Sequence, residues 1–256
     1  MIELNKIYNE NCLETMARMP SNFIDLTVTS PPYDNLRTYN GYVFDFKTIA
    51  EFLYQVTKPS GVVVWVVGDA TINGNESGSS FEQALYFKKI GFNLHDTMIY
   101  EKTNFSFPSK NRYHQIFEYM FVFSKGKPKT FNPIKDVPVK YGLPWGKNSH
   151  RNKEGVLVAT KKRETFEPLG MRTNIWRINC AKGFNTKDEI AHKHPAIFPE
   201  KLAEGHILSW SNEGDLIYDP FMGSGTTAKM AKLHKRNFIG SEVSKEYCEI
   251  AEKRLA

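Results

Sequence analysis

Near the start of this chain an apolar run, Phe23-Ile24-Asp25-Leu26-Thr27-Val28, is cut off by Thr29-Ser30-Pro31-Pro32-Tyr33. The run reads as a buried strand. Two successive prolines cannot continue a sheet ladder, because each lacks an N–H and has its φ fixed. The residue before each proline is also driven towards an extended conformation. The strand must therefore stop at Ser30, and a stiff loop follows at its carboxyl end. In an open α/β sheet that edge is where ligands bind. A hydroxyl, carbonyls that no neighbouring N–H need occupy, and an aromatic face are held together there, a set suited to gripping a flat polar group that carries an amine. The same five residues would equally serve a proline-terminated strand with a packed tyrosine.

The rest of the chain alternates strands with helices, which is the α/β pattern. A strand is expected near residues 6–8, a helix over 12–19 and a helix over 46–57, where Phe46, Ile49, Ala50, Leu53 and Val56 recur at helical spacing. Pro59-Ser60-Gly61 reads as a turn before Val62-Val63-Val64-Trp65-Val66-Val67, a β-branched run covered on both faces. A polar loop through Gly68-Asp69, a helix over 81–90 and strands near 94–99 and 117–123 follow. Beyond residue 193 a helix (199–210), a strand (215–218), a helix (228–234), a strand (237–240) and a last helix (245–255) restore the alternation.

Between these halves the character changes. Residues 124–193 carry 16 Lys+Arg against 6 Asp+Glu; with 34 and 28 in the whole chain, the remainder holds 18 against 22. One segment thus holds the whole basic excess, which points to a polyanion partner or to a solvated lysine-rich surface. Phe131, Tyr141, Trp145, Phe166 and Trp176 are interleaved with the charges. Cations for phosphates beside rings for bases is a nucleic-acid-binding composition, although an irregular loop region with a few buried aromatics has it too.

A second motif follows the strand at 215–218: Asp219-Pro220-Phe221-Met222-Gly223-Ser224-Gly225-Thr226-Thr227. Strand, glycine-rich turn and helix form a nucleotide-binding architecture. No lysine precedes Thr226 or Thr227, so it is not a Walker loop, and the third glycine of the dinucleotide fingerprint is missing. Glu242 ends the next strand, where an acid can accept two ribose hydroxyls. A nucleoside ligand without polyphosphate fits better than ATP or NAD; a tight turn with a surface glutamate is the plainer alternative.

Ser30-Pro31-Pro32-Tyr33 together with Asp219 to Thr227 resembles the S-adenosylmethionine-dependent DNA amino-methyltransferases, in the beta-group order of catalytic tetrapeptide, recognition region and cofactor loop. Asn11-Cys12-Leu13-Glu14 resembles the segment at the cofactor adenine, with Asn11 where the family often has aspartate. Phe117-Glu118-Tyr119 resembles a late catalytic-domain strand. His194-Pro195-Ala196-Ile197-Phe198-Pro199-Glu200-Lys201-Leu202 resembles the helix start beside the methionine moiety.

The resemblance implies a doubly wound, mostly parallel sheet of the Rossmann-like class I methyltransferase type. It divides the chain into a catalytic and cofactor-binding domain, residues 1–123 and 194–256, and an inserted irregular target-recognition region, 124–193. It implies S-adenosyl-L-methionine as cofactor and double-stranded DNA as partner, and it leaves open a homodimer and a companion restriction endonuclease. Catalysis would fall to Ser30, Pro31, Pro32 and Tyr33. The cofactor would be held by Asn11, Cys12, Asp219, Phe221, Gly223, Ser224, Gly225, Thr226, Thr227, Glu242, His194, Pro195, Phe198 and Lys201. Lys161, Lys162, Arg163, Arg172 and Arg177 would meet DNA. In the resembling family, Ser before the two prolines leans towards cytosine N4, and Asp or Asn towards adenine N6. An inactive DNA-binding relative and an RNA or protein-glutamine methyltransferase are the other readings.

Cytosine C5 methylation uses a cysteine nucleophile, usually after proline, and here Cys12, Cys180 and Cys248 follow Asn11, Asn179 and Tyr247. Cys180 and Cys248 are read as structural. His192 and His194 lack clustered carboxylates, so no metal site is expected. Asp34 and Asp69 lie on loops at the functional edge as weaker site candidates. The polar start of the chain, its short apolar runs and its three scattered cysteines point to a cytoplasmic protein, not one bound to membrane.

Overall fold

Whether the run 62–67 is covered on both faces decides the layering, because alternate side chains of a strand point to opposite faces. All six residues, Val62 to Val67, are buried. In the computed structural model, which describes residues 2–32, 44–104, 110–139, 149–159 and 167–256, this run forms most of a strand near the centre of an eight-stranded sheet.

The strands are β1 (Lys6–Tyr8), β2 (Ile24–Thr29), β3 (Thr57–Val67), β4 (Thr71–Ile72), β5 (Asn75–Glu76), β6 (Asn93–Lys102) and β7 (Phe117–Ser124). They continue with β8 (Lys135–Pro138), β9 (Ser149–Arg151), β10 (Leu157–Ala159), β11 (Leu169–Met171), β12 (Ile175–Ile178), β13 (Leu216–Asp219) and β14 (Asn237–Ser241). The helices are α1 (Cys12–Ala17), α2 (Phe46–Val56), α3 (Ser79–Lys89), α4 (Glu200–Trp210), α5 (Thr226–Leu233) and α6 (Lys245–Leu255), with a 3₁₀ turn at Glu189–Lys193. The main sheet runs β1-β14-β13-β2-β3-β7-β6-β12. Only β7 runs against its neighbours, pairing antiparallel with β3 and β6; the other pairings are parallel.

On one face α1, α2 and α3 bring Met16, Ile49, Leu53 and Phe87 into the core that holds Trp65, Phe123 and Tyr218. Phe87 stacks on Phe123 at 4.6 Å between ring centroids. Elsewhere α4 packs on α5 and on β2, while α5 contacts β13 and β14. This is the Rossmann-like arrangement that the resemblance implies.

Helix starts follow local chemistry. Asn11, Asp45 and Ser244 cap α1, α2 and α6 by accepting the N–H of Leu13, Thr48 and Tyr247. Among the described residues no helix is long and apolar enough to cross a membrane.

Two local expectations change. Pro59-Ser60-Gly61 does not separate α2 from the next strand, because β3 already starts at Thr57. Instead the pairing jumps: Ile24 faces Thr57 but Leu26 faces Val62, so residues 58–61 bulge out of register. Ser60, at φ 67°, takes the left-handed corner. The basic stretch also contains a true sheet strand, β12, parallel to β6. Its Trp176 is buried, stacked on His206 at 4.6 Å, where a Cβ on Gly205 would come within 2.6 Å of the indole. Trp176 is thus a core side chain rather than a platform for bases. Tyr141, Trp145 and Phe166 lie outside the described residues.

The chain divides into two compact units, Met1–Asn132 with Asn174–Ala256, and Pro133–Thr173. The second unit contains the antiparallel pairs β8/β11 and β9/β10. The flanks 124–132 and 174–193 of the basic segment belong to the first unit.

Candidate active site

β2 and β13 are parallel neighbours, with Leu26 opposite Ile217 and Thr27 opposite Tyr218. Their carboxyl ends therefore emerge side by side, and the two sequence motifs meet there. Thr29 Oγ1 donates a 2.6 Å hydrogen bond to Asp219 Oδ1, and the Phe221 N–H donates to the same oxygen at 3.0 Å. Thr227, at the start of α5, donates its hydroxyl to the Val28 carbonyl at 3.3 Å. Burial pushes the Asp219 carboxyl up to about 6, against the opposing pull of the Thr29 and Thr227 hydroxyls and the Phe221 N–H. Thr29 opens the proline motif, but the sequence gives it no role of its own. Nothing in a lone threonine shows that a parallel neighbour will bring an aspartate to it.

The glycine loop is shaped by backbone geometry. Gly223 and Gly225 have φ 51° and 82°, the left-handed region that L side chains rarely adopt. A Cβ on Gly223 would lie 3.0 Å from His194 Nε2, and one on Gly225 would lie 2.6 Å from the Ala251 Cβ. So Gly223 lets the imidazole close on the loop, and Gly225 lets α5 start against α6. The loop is also tied to the next strand end. Glu242 accepts the Gly223 N–H through Oε2 and the Ser244 N–H through Oε1, both at 2.8 Å. Burial raises this carboxyl, with those amides opposing. A carboxylate oxygen accepts more than one hydrogen bond, so both can still take a hydroxyl from the cleft.

Ser30, Pro31, Pro32, Cys12, Asp219, Phe221, Gly223, Ser224, Thr226, Glu242, His194, Pro195 and Phe198 all line one cleft of about 1110 Å³. Typical small-molecule sites measure roughly 300–1,000 Å³, so there is room for a nucleoside cofactor and an acceptor together. His194 is oriented by accepting the Ala196 N–H at Nδ1 (3.1 Å) and by edge contact with the Tyr247 ring at 4.3 Å. The cleft is also lined by Tyr100, Phe117, Cys180 and an ion pair, Lys102–Glu118 at 2.5 Å.

Other candidates are placed differently. Asn11 uses its side-chain oxygen as the α1 cap, 2.9 Å from the Leu13 nitrogen. Gly225 and Thr227 are buried and do not line the cleft, and Lys201 is exposed on α4. Tyr33, Asp34, Lys161, Lys162 and Arg163 lie outside the described residues. Arg172 pairs with Asp136 inside the second unit, and Arg177 lies 3.4 Å from Glu101 on the β12–β6 edge of the first. Asp69 lines the cleft, but its carboxylate already accepts the Ser80 N–H (2.9 Å) and hydroxyl (2.5 Å) at the start of α3. Cys248 is buried and its thiol pushed up to about 12, mainly by that burial, which leaves it an inert side chain.

Residues 24–253 match the N6/N4 methyltransferase family model described as DNA methylase. The orphan methyltransferase M.BamHII of Bacillus amyloliquefaciens is 64% identical over 234 residues, covering 91% of this chain and 88% of that protein. Among solved structures, the cytosine-N4-specific PvuII DNA methyltransferase shares the fold at a TM-score of 0.72 and 22% identity, covering 98% of this chain and 86% of that one. The M1.HpyAVI–SAM complex does so at 0.62 and 24% identity, covering 98% and 99%. The chain belongs to the N6/N4 DNA methylase family, as a DNA amino-methyltransferase.

Proposed function

We propose that the protein methylates the exocyclic amine of a base flipped out of duplex DNA at a specific sequence, with cytosine N4 as the acceptor. One observation carries this reading. Ser30 to Pro32 and the glycine loop, joined through Thr29 and Asp219, open on the same cleft at the same sheet edge. S-adenosylmethionine supplies the electrophilic methyl group when bound.

The chain's own residues hold and aim the reactants. Glu242, at the strand end, accepts ribose hydroxyls. Cys12 borders the adenine. Asp219, the glycine loop and the His194–Phe198 wall surround the methionine end. An exocyclic amine is a poor nucleophile, because its lone pair is delocalised into the ring. Ser30 Oγ and the Pro31 carbonyl accept its two hydrogens, which favours tetrahedral nitrogen and frees the lone pair. The Pro31 carbonyl suits this role because Pro32 brings no N–H near it. Tyr33 stacks on the base, which must leave the duplex to reach the cleft. Most of the acceleration is positioning and local electrostatics.

Cytosine is favoured by serine at the first position of the tetrapeptide, and the PvuII enzyme, named cytosine-N4-specific, shares this fold. Target recognition falls to residues 124–193, which carry the basic excess. Lys161, Lys162 and Arg163 grip phosphates or read base edges there. The name orphan methyltransferase borne by the M.BamHII relative supports modification without a companion endonuclease.

Ser30→Ala should lower turnover about 10²-fold, the scale of losing one transition-state hydrogen bond, while cofactor affinity stays near wild type. Single-turnover methyl transfer and cofactor titration check this, and undiminished transfer would sink the assignment.

A further inference from the structure

Arg254, near the end of the last helix, has a side chain with 0% exposure. A buried guanidinium is costly unless every face finds a partner. Here each nitrogen does. Nε donates to Asp188 Oδ2 at 2.9 Å, and Nη2 donates to Glu200 Oε1 at 2.7 Å and to Thr186 Oγ1 at 3.3 Å. Nη1 donates to the Ser224 carbonyl at 2.6 Å, the Ser224 hydroxyl at 3.2 Å and Thr226 Oγ1 at 3.1 Å. Lys229 of α5 completes the cluster, 2.7 Å from Asp188 and 2.8 Å from Glu200. Two cations thus balance two anions. Burial alone would raise the Asp188 carboxyl, but Lys229 and Arg254 hold it below the usual range.

What the cluster joins matters more than its charge. Ser224 belongs to the glycine loop, and Thr226 begins α5. Asp188 and Glu200 bracket the segment that carries His194, Pro195 and Phe198 to the cleft. The loop is consequently held from two sides, its Gly223 N–H by Glu242 and its Ser224 carbonyl by Arg254. A closing ion pair at a helix end would need only Asp188 or Glu200. The three contacts of Nη1 to Ser224 and Thr226 go beyond that.

We infer that Arg254 is a positioning residue for cofactor binding, locking the glycine loop and the His194–Phe198 wall into one rigid cradle. The inference rests on the reading that these two segments hold S-adenosylmethionine.

Its test uses calorimetric titration of S-adenosylmethionine into full-length Arg254→Lys and Asp188→Asn, with Glu242→Ala as the check on the site itself. Thermal melting of each variant is recorded without cofactor. Lysine keeps the charge facing Asp188 and Glu200 but cannot reproduce the fork onto Ser224 and Thr226. Arg254→Lys should therefore melt close to wild type yet bind the cofactor at least about tenfold more weakly, the scale typical of residues that hold a binding group in place. Turnover at saturating cofactor and DNA affinity should stay near wild type, so the loss appears in the cofactor KM and not in kcat. Should Arg254→Lys fail to fold, Asp188→Asn decides by the same criterion. Wild-type cofactor affinity in a folded variant, or a loss that merely follows the melting temperature, would overturn the inference. If Glu242→Ala binds weakly while Arg254→Lys binds normally, the clamp alone is wrong. If Glu242→Ala also binds normally, the reading of the site is wrong and the clamp falls with it.

Discussion

At the scale of single residues, Asp219 joins the two halves of the site and carries a measurable cost. Its carboxyl is pushed up to about 6 by burial, whereas an unfolded aspartate titrates near 3.9. The native state therefore keeps a proton that the unfolded chain has already released. Stability from this group is full below the unfolded value and is lost as pH rises through about 6. A shift of this size corresponds to about 3 kcal/mol. Asp219→Asn cannot titrate. The wild-type unfolding free energy, relative to that of the variant, should accordingly fall by about 3 kcal/mol between about pH 4 and pH 7. Urea unfolding across that range measures it, and parallel curves would show that Asp219 ionises normally. The bond from Thr29 Oγ1 to Asp219 joins residues 190 positions apart. Each motif was legible in the sequence, but their hydrogen bond was not, since it depends on β2 and β13 becoming neighbours.

At the scale of elements, what could be read ahead depended on how local the cause is. Helix α2 was legible because Phe46, Ile49, Ala50, Leu53 and Val56 recur at helical spacing. The core of β3 was legible because six β-branched or aromatic residues in a row suit a strand buried on both faces. Strand β12 was not: four residues, Ile175 to Ile178, are too few for a period, and only pairing with β6 defines them. The bulge at 58–61 was hidden likewise, because Pro59-Ser60-Gly61 has the same composition whether it turns the chain or bulges beside a neighbour. Gly225 tests the loop-to-helix junction directly. Gly225→Ala imposes a left-handed alanine and drives its Cβ into Ala251. The backbone strain alone costs about 1–3 kcal/mol, and at about 2–4 °C per kcal/mol the melting temperature should fall by roughly 5 °C or more. A melting curve superimposable on wild type would mean that α5 and α6 can separate freely.

At the scale of the whole molecule, charge is divided along the chain. The second unit alone, residues 133–173, holds 9 Lys+Arg against 4 Asp+Glu. DNA binding should therefore be strongly salt-dependent, with the slope set by the number of phosphates neutralised. Replacing Lys161, Lys162 and Arg163 together with alanine should flatten the logarithmic salt slope by up to about 2.7, at about 0.9 per phosphate contact. An unchanged slope would place the phosphate grip elsewhere. Base identity is the least legible property of all, because it depends on how a flipped ring meets the cleft and on the single side chain of Ser30. The most direct test is nucleoside mass spectrometry of DNA incubated with the pure protein and methyl-deuterated S-adenosylmethionine. The predicted product is deuterated N4-methylcytosine, formed about 10²-fold more slowly by Ser30→Ala. N6-methyladenine would keep the amine chemistry but reassign the base, and 5-methylcytosine, or no methylated base at all, would contradict the account.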